Sequence, residues 1–159
     1  MRFKVRDYLP LIYIYLLTAL LTGISFIYFV FSFKSLIFIF LGIFSVMLSL
    51  LKIIRIRDFV EAFSEYDFIS QKFKIYAYIF PFLELFLGIS FLLIIENILL
   101  EFLCLALFIL NFYSVALALR KRRKFVCACL GDLIKLPLSY VSLIENLTMI
   151  LGILYLITN

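Results

Sequence analysis

Five long apolar runs occupy most of this 159-residue chain, and they constrain its fold more than any other feature. An α-helix needs about 20 apolar residues to cross the ~30 Å hydrocarbon layer of a bilayer. The strands of a membrane β-barrel would alternate in polarity, whereas these runs are continuously apolar. The runs cover residues 9–33, 35–54, 76–95, 98–119 and 136–157. The sequence therefore predicts an all-α polytopic membrane protein with a five-helix transmembrane bundle.

The composition supports this class and excludes several kinds of chemistry. The chain is 67% hydrophobic, well above the usual fraction of a soluble domain. It contains no histidine, which removes imidazole-based hydrolases and most zinc sites. The cations before the first run suggest a signal peptide, but that run is too long and lacks a small-residue cleavage site. We therefore interpret residues 9–33 as a retained helix.

The distribution of cations predicts the orientation of the chain in the membrane. Of the 15 lysines and arginines, 14 fall before the first run, at the end of the second run or in the connections after the second and fourth runs, and only Lys34 falls on the other side. The positive-inside rule then predicts a cytoplasmic N-terminus and an outside C-terminus at Asn159. We expect the membrane to be the bacterial inner membrane. The net charge of +5 is explained by this topology, and nucleic-acid binding is not expected.

The connection between the second and third runs has the pattern of an amphipathic helix. Apolar residues recur at spacings of three and four through residues 58–74, with charged residues between them. This pattern predicts a helix that lies in the cytoplasmic interface or extends the second span. We expect a connector packed on the bundle, with a binding element as the alternative.

Two carboxyl groups lie inside predicted spans at similar depth. Glu84 is eight residues into the third span and Glu145 is nine residues into the fifth. Buried charges in a bilayer usually face the bundle interior and find partners. Lys52 and Arg55 at the end of the second span can supply a cation, and Asn146 is a polar neighbour. Two interpretations remain open, a structural ion pair and a proton or cation relay.

Two cysteines, Cys127 and Cys129, follow a run of five cations at residues 120–124. Neighbouring positive charge favours the thiolate and raises its reactivity. A lasting disulfide is not expected on a cytoplasmic face, which leaves transient redox chemistry or soft-metal binding, with Cu(I) as the natural ion. The pair can also be two inert small residues. Cys104 lies mid-span and is interpreted as a packing residue.

Three sequence pieces in a fixed order resemble a known family. The first is Lys52 followed by the Asp-Phe, Phe and Tyr-Asp residues of 58–67, the second is the Tyr-Ala-Tyr to Leu-Gly stretch of 76–88, and the third is the Cys-x-Cys-Leu-Gly to Glu-Asn stretch of 127–146. Residues 35–158 thus resemble the four-helix MauE/DoxX group of redox-associated, methylamine-utilisation membrane proteins. The resemblance implies a four-helix domain at 35–159 and an added N-terminal transmembrane helix at 1–34.

The resemblance also implies a function, because the MauE branch is associated with maturation of a disulfide-rich methylamine dehydrogenase subunit. On this reading Cys127 and Cys129 are a redox pair that serves as a thiol–disulfide relay, with Glu84, Glu145 and Lys52 as its proton relay or ion pair. The predicted outer turns contain no cysteine, so a cytosolic thiol carrier and a quinone or partner protein would complete the path. The alternatives are a Cu(I)-type carrier that uses the same cysteines and a non-catalytic membrane assembly partner.

Overall fold

A computed structural model describes residues 9–29, 32–120 and 140–158 of the chain. These residues form six α-helices and no strand, which confirms the all-α prediction for the part described. The helices are α1 (Leu9–Phe29), α2 (Phe33–Ile54), α3 (Ile56–Tyr66), α4 (Lys74–Leu92), α5 (Ile98–Arg120) and α6 (Tyr140–Thr158).

Three of the helices, α2, α4 and α5, are long and apolar enough to cross a membrane. The apolar stretches described within α1 and α6, Ile12–Ile24 and Ser142–Thr158, are shorter. The break between α1 and α2 comes earlier than predicted, because Ser32 has an extended backbone and α2 begins at Phe33. Serine is a favoured residue at a helix N-cap. Lys34 therefore belongs to the first turn of α2 rather than to a loop.

Close packing of α2 against α4 forms the centre of the bundle. A Cβ atom added to Gly42 would lie 2.8 Å from the backbone nitrogen of Leu92, and one added to Gly88 would lie 3.0 Å from the backbone nitrogen of Val46. Side chains at these two positions would hold the helices apart, so glycine permits the close approach. Ser45 adds a hydrogen bond from its Oγ to the Glu84 carbonyl at 3.1 Å.

The first helix packs on this centre through a mixed polar and aromatic contact. The ring of Tyr15 lies 4.8 Å from that of Phe44 on α2, measured between centroids. Its hydroxyl is 3.0 Å from the Thr148 hydroxyl on α6. Helix α1 is thus in contact with two other helices of the bundle.

The amphipathic connection is a helix over only half of its predicted length. Helix α3 buries Phe59, Phe63 and Tyr66 against the bundle, as the spacing predicts, but it ends there and residues 68–72 form turns. Asp67 causes the ending, because its Oδ2 accepts hydrogen bonds from the backbone nitrogens of residues 69 and 70 at 3.1 and 2.8 Å. Such side-chain bonds compete with helical ones. The prediction of one helix over 58–74 was therefore wrong in its second half.

The opposite end of the bundle is closed by the turn between α4 and α5. Ile94 has a positive φ of 51°, and the next amide donates to the Ser90 carbonyl at 3.1 Å. This bond returns the chain as in a helix C-cap of the Schellman type. Just beyond it, Glu96 accepts a hydrogen bond from Lys34 Nζ at 3.1 Å.

Candidate functional site

A buried ion pair links the two central helices. Lys52, in the last turn of α2, places its Nζ 2.6 Å from Oε2 of Glu84 on α4. The two side chains are 6% and 0% exposed. The sequence predicted a cation for Glu84 from either Lys52 or Arg55, and the structure selects Lys52. Arg55 instead lies 3.8 Å from Asp58 at the surface.

Aromatic rings from α3 and α4 enclose the ammonium group. Lys52 Nζ lies 5.9 Å from the ring centroid of Phe59 and 5.2 Å from that of Phe80. A cation within about 6 Å of a ring face is attracted by the ring quadrupole, most strongly where water is excluded. Phe63 packs on both rings, at 5.0 Å from each. Helix α3 therefore forms one wall of the site.

Polar side chains from α5 and α6 form the other wall. Glu145 and Asn146 on α6 and Asn111 on α5 line the same cavity as Lys52 and Glu84. Asn111 donates from Nδ2 to Asn146 Oδ1 at 3.1 Å. The structure therefore brings together the three site residues predicted within spans and adds Asn111. The only sequence signal for Asn111 was one amide in an otherwise apolar run.

The cavity is lined by buried oxygen atoms that can accept a further hydrogen bond. Oε1 of Glu84 and Oδ1 of Asn111 are buried and accept no hydrogen bond from the residues the structure describes. Buried polar atoms without partners are uncommon. The enclosed space is about 10 Å³, close to the minimum for one water molecule. The site can thus hold a water or accept a proton, and it is too small for an organic substrate.

A buried carboxylate beside the cavity, Asp67, fixes the end of α3 to α5. Asp67 accepts hydrogen bonds from Ser70 Oγ at 2.7 Å and from Ser114 Oγ at 2.9 Å, in addition to the two turn amides. Ser114 lies one turn beyond Asn111, and Tyr66 lines the cavity. Asp67 therefore positions two walls of the site at once. The sequence signal for this capped turn was Ser70, three residues after Asp67.

The three cysteines differ in what the structure says of them. Cys127 and Cys129 lie outside the described residues. Their segment, 121–139, joins α5 to α6, the helices that carry Asn111 and Glu145. Cys104 is reduced and fully buried in the apolar core, in agreement with a packing role. Within the described ranges no cluster of three or more His, Cys, Asp or Glu side chains could hold a metal ion.

Comparison with known proteins gives one match. No curated protein and no solved structure matches the chain at a significant level. The family model described as "Methylamine utilisation protein MauE" matches residues 8–159, which is nearly the whole chain and includes α1. The helices α2, α4 and α5 have the length and apolarity of membrane spans. This chain is therefore a membrane protein that belongs to the MauE family and is linked by it to methylamine utilisation.

Proposed function

We propose that the protein is a thiol–disulfide relay that supports maturation of a partner protein, with Cys127 and Cys129 as its redox pair. The main observation in favour is the buried cluster of Lys52, Glu84, Asn111 and Glu145, because the cysteine segment connects α5 and α6, the helices that carry Asn111 and Glu145. The family description adds the link to methylamine utilisation.

The electrons and protons of such a relay balance without a bound metal. A thiolate of the pair attacks a disulfide of a thiol carrier and forms a mixed disulfide. The second thiol of the pair then attacks the pair's own sulfur in that bond and releases the reduced carrier. The pair becomes a disulfide and the carrier becomes a dithiol, with two electrons transferred. A client dithiol then reduces the disulfide of the pair and becomes a disulfide itself, so two electrons pass from the client through the pair to the carrier, or to a quinone that also takes up two protons. The five cations at residues 120–124 favour the attacking thiolate.

The buried cluster has the parts needed to handle those protons. Glu84 has one oxygen held by Lys52 and another that accepts no bond within the described part of the chain. Glu145 lines the same small cavity. In this proposal the carboxyl groups take up and release protons, and Lys52 keeps Glu84 in place. A structural ion pair is the competing role for the same three residues.

The topology completes the proposal. We propose five spans in the bacterial inner membrane, with the N-terminus in the cytoplasm, because 14 of the 15 cations then lie inside. In the sequence, the segment 121–139 connects α5 to α6, the helices that carry Asn111 and Glu145. The division of the chain into a helix at 1–34 and a domain at 35–159 stays a prediction.

Thiol trapping in intact cells tests the redox pair. Cys127 and Cys129 are alkylated with membrane-permeant and impermeant reagents, and Cys104→Ala serves as the control. A disulfide fraction that follows the cellular redox state, with labelling by the permeant reagent alone, supports a cytoplasmic relay. Thiols that stay reduced contradict it, and protection that a chelator removes indicates a soft metal instead.

Replacing the carboxyl groups tests their part in the relay. Glu84→Gln and Glu145→Gln should slow reoxidation of the pair, and the slowing should depend on pH. Glu101→Gln is the matched control, because Glu101 is a buried carboxyl in the first turn of α5, away from the cluster. If the glutamine variants lose function while Cys127→Ser and Cys129→Ser keep it, the relay is excluded.

A further inference from the structure

A groove between α3 and the start of α4 is a second site, separate from the buried cluster. It encloses about 500 Å³, which is within the usual range for small-molecule sites. One face of α3 forms its floor, and the first two turns of α4 form its side. The lining residues are Arg57, Val60, Glu61, Ser64, Glu65, Lys74 and Tyr78.

The charged side chains that line the groove are exposed and form no ion pair within the described residues. It contains two cations, Arg57 and Lys74, and two carboxylates, Glu61 and Glu65, all exposed. The ion pairs found elsewhere in the described helices involve other residues, so none of these four is paired within 4.0 Å. Groups of both signs thus face one open space. A ligand with a negative and a positive group would be complementary to both.

A buried hydroxyl adds a hydrogen-bonding group to the groove. Ser64 Oγ is buried and has no hydrogen-bond partner among the residues described, although it belongs to the groove lining. Buried hydroxyls normally have a partner. A ligand with hydrogen-bonding oxygens seated in the groove would supply it.

The groove lies beside the ends of two candidate membrane spans, where lipid headgroups are expected. Helix α3 joins the end of the candidate span α2 to the start of the candidate span α4, so the groove is where both spans leave the membrane. Tyr78 is one turn into α4, and tyrosine is enriched at that boundary. Phe73 and Ile75 beside the groove are 69% and 72% exposed, which suits contact with acyl chains.

We propose that this groove binds the headgroup of a zwitterionic phospholipid that carries a primary ammonium, of the phosphatidylethanolamine type. Arg57 and Lys74 bind the phosphate, and Glu61 and Glu65 accept hydrogen bonds from the ammonium. A trimethylammonium headgroup has no N–H to donate. An anionic headgroup without an ammonium leaves the two carboxylates facing a negative charge.

Native mass spectrometry of the full-length protein tests this assignment. The protein is offered phosphatidylethanolamine, phosphatidylcholine and phosphatidylglycerol with identical acyl chains. Loss of a charge-assisted contact should lower retention about tenfold, so phosphatidylethanolamine should be retained about that much better than the other two. Equal retention of all three lipids would overturn the proposal.

Two double substitutions test the contacts to the phosphate and to the ammonium of the headgroup separately. Arg57→Gln with Lys74→Gln should lower retention of phosphatidylethanolamine and phosphatidylglycerol together. Glu61→Gln with Glu65→Gln should remove only the preference between them. Lys72→Gln is the matched control, because Lys72 lies over the ring of Phe68 at 5.3 Å, outside the groove. Variants that all behave like the control would contradict the assignment, as would displacement of the lipid by millimolar inorganic phosphate, which would indicate a site for soluble phosphate.

Discussion

A lysine near each end of α2 pairs with a glutamate, Lys52 with Glu84 within α4 and Lys34 with Glu96 in the turn after α4, and the two pairs differ in burial and in length. Lys52–Glu84 is buried and 2.6 Å long, whereas Lys34–Glu96 is 3.1 Å long with side chains 27% and 58% exposed. An exposed pair gains little because water already solvates both charges. Each charge of a buried pair depends on the other, because an isolated charge in a site without water raises the free energy of the folded state. The contrast teaches that position, not residue type, decides what such a pair does.

The largest effect should come from breaking the buried pair on one side only. Lys52→Met or Glu84→Leu alone should lower the free energy of unfolding by about 3–5 kcal/mol. Lys52→Met removes the cation that contacts the buried Glu84 carboxylate, and Glu84→Leu removes the carboxylate that lies 2.6 Å from Lys52 Nζ. Denaturant unfolding in detergent micelles measures the loss.

The double variant Lys52→Met/Glu84→Leu is the control for that effect. Removing both charges should restore stability close to that of the unmodified protein, because apolar side chains of similar volume can replace a buried pair. Single losses that simply add in the double variant would show that the two residues are not coupled.

A buried carboxylate held by neutral donors sharpens the comparison. Asp67→Ala removes the acceptor for Ser114 Oγ and for the turn at residues 69–70. The expected loss is about 1–3 kcal/mol, because the donors lose their buried partner. Asp58→Ala is the control, since Asp58 is exposed and 3.8 Å from Arg55. Equal losses for the two aspartates in the same unfolding assay would refute this account of the α3 ending.

The buried Lys52–Glu84 pair joins α2 and α4, two helices whose close approach glycine permits. Gly42→Ala places a methyl group 2.8 Å from the Leu92 backbone, and such overpacking costs about 1–3 kcal/mol. Gly23→Ala on α1 meets nothing within 4 Å and should stabilise its helix by up to about 1 kcal/mol. A lower melting temperature for Gly42→Ala and a higher one for Gly23→Ala would support this account of the packing. A neutral Gly42→Ala would show that the helices can separate freely.

The smallest effect should come from the exposed pair. Lys34→Ala should cost about 0–1 kcal/mol, and salt should reduce that cost because screening acts on exposed charges. The stability of the variant and of the unmodified protein is compared at low and high ionic strength. A loss as large as that from Lys52→Met would remove the distinction between the two ends.

Much of the bundle could be predicted from the sequence, because membrane spans depend on apolar length alone. The Lys52–Glu84 pair was also foreseeable, since a buried carboxyl needs a partner and few cations were near. The end of α3 was not predicted, because the apolar spacing continues to Phe73 while the hydrogen bonds of Asp67 stop the helix. Asn111 was missed because one amide in an apolar helix does not reveal which face it occupies. Its place in the cluster follows from how α5 and α6 pack.

The aromatic enclosure of Lys52 has a consequence for the chemical accessibility of its amine. With the rings of Phe59 and Phe80 beside it and Glu84 against it, this amine should resist acylation by water-soluble reagents. Lys72 and Lys74 are exposed and should react readily. Lys52 would become acylated only when α3 moves away from it. The rate of its modification would therefore report how often the site opens.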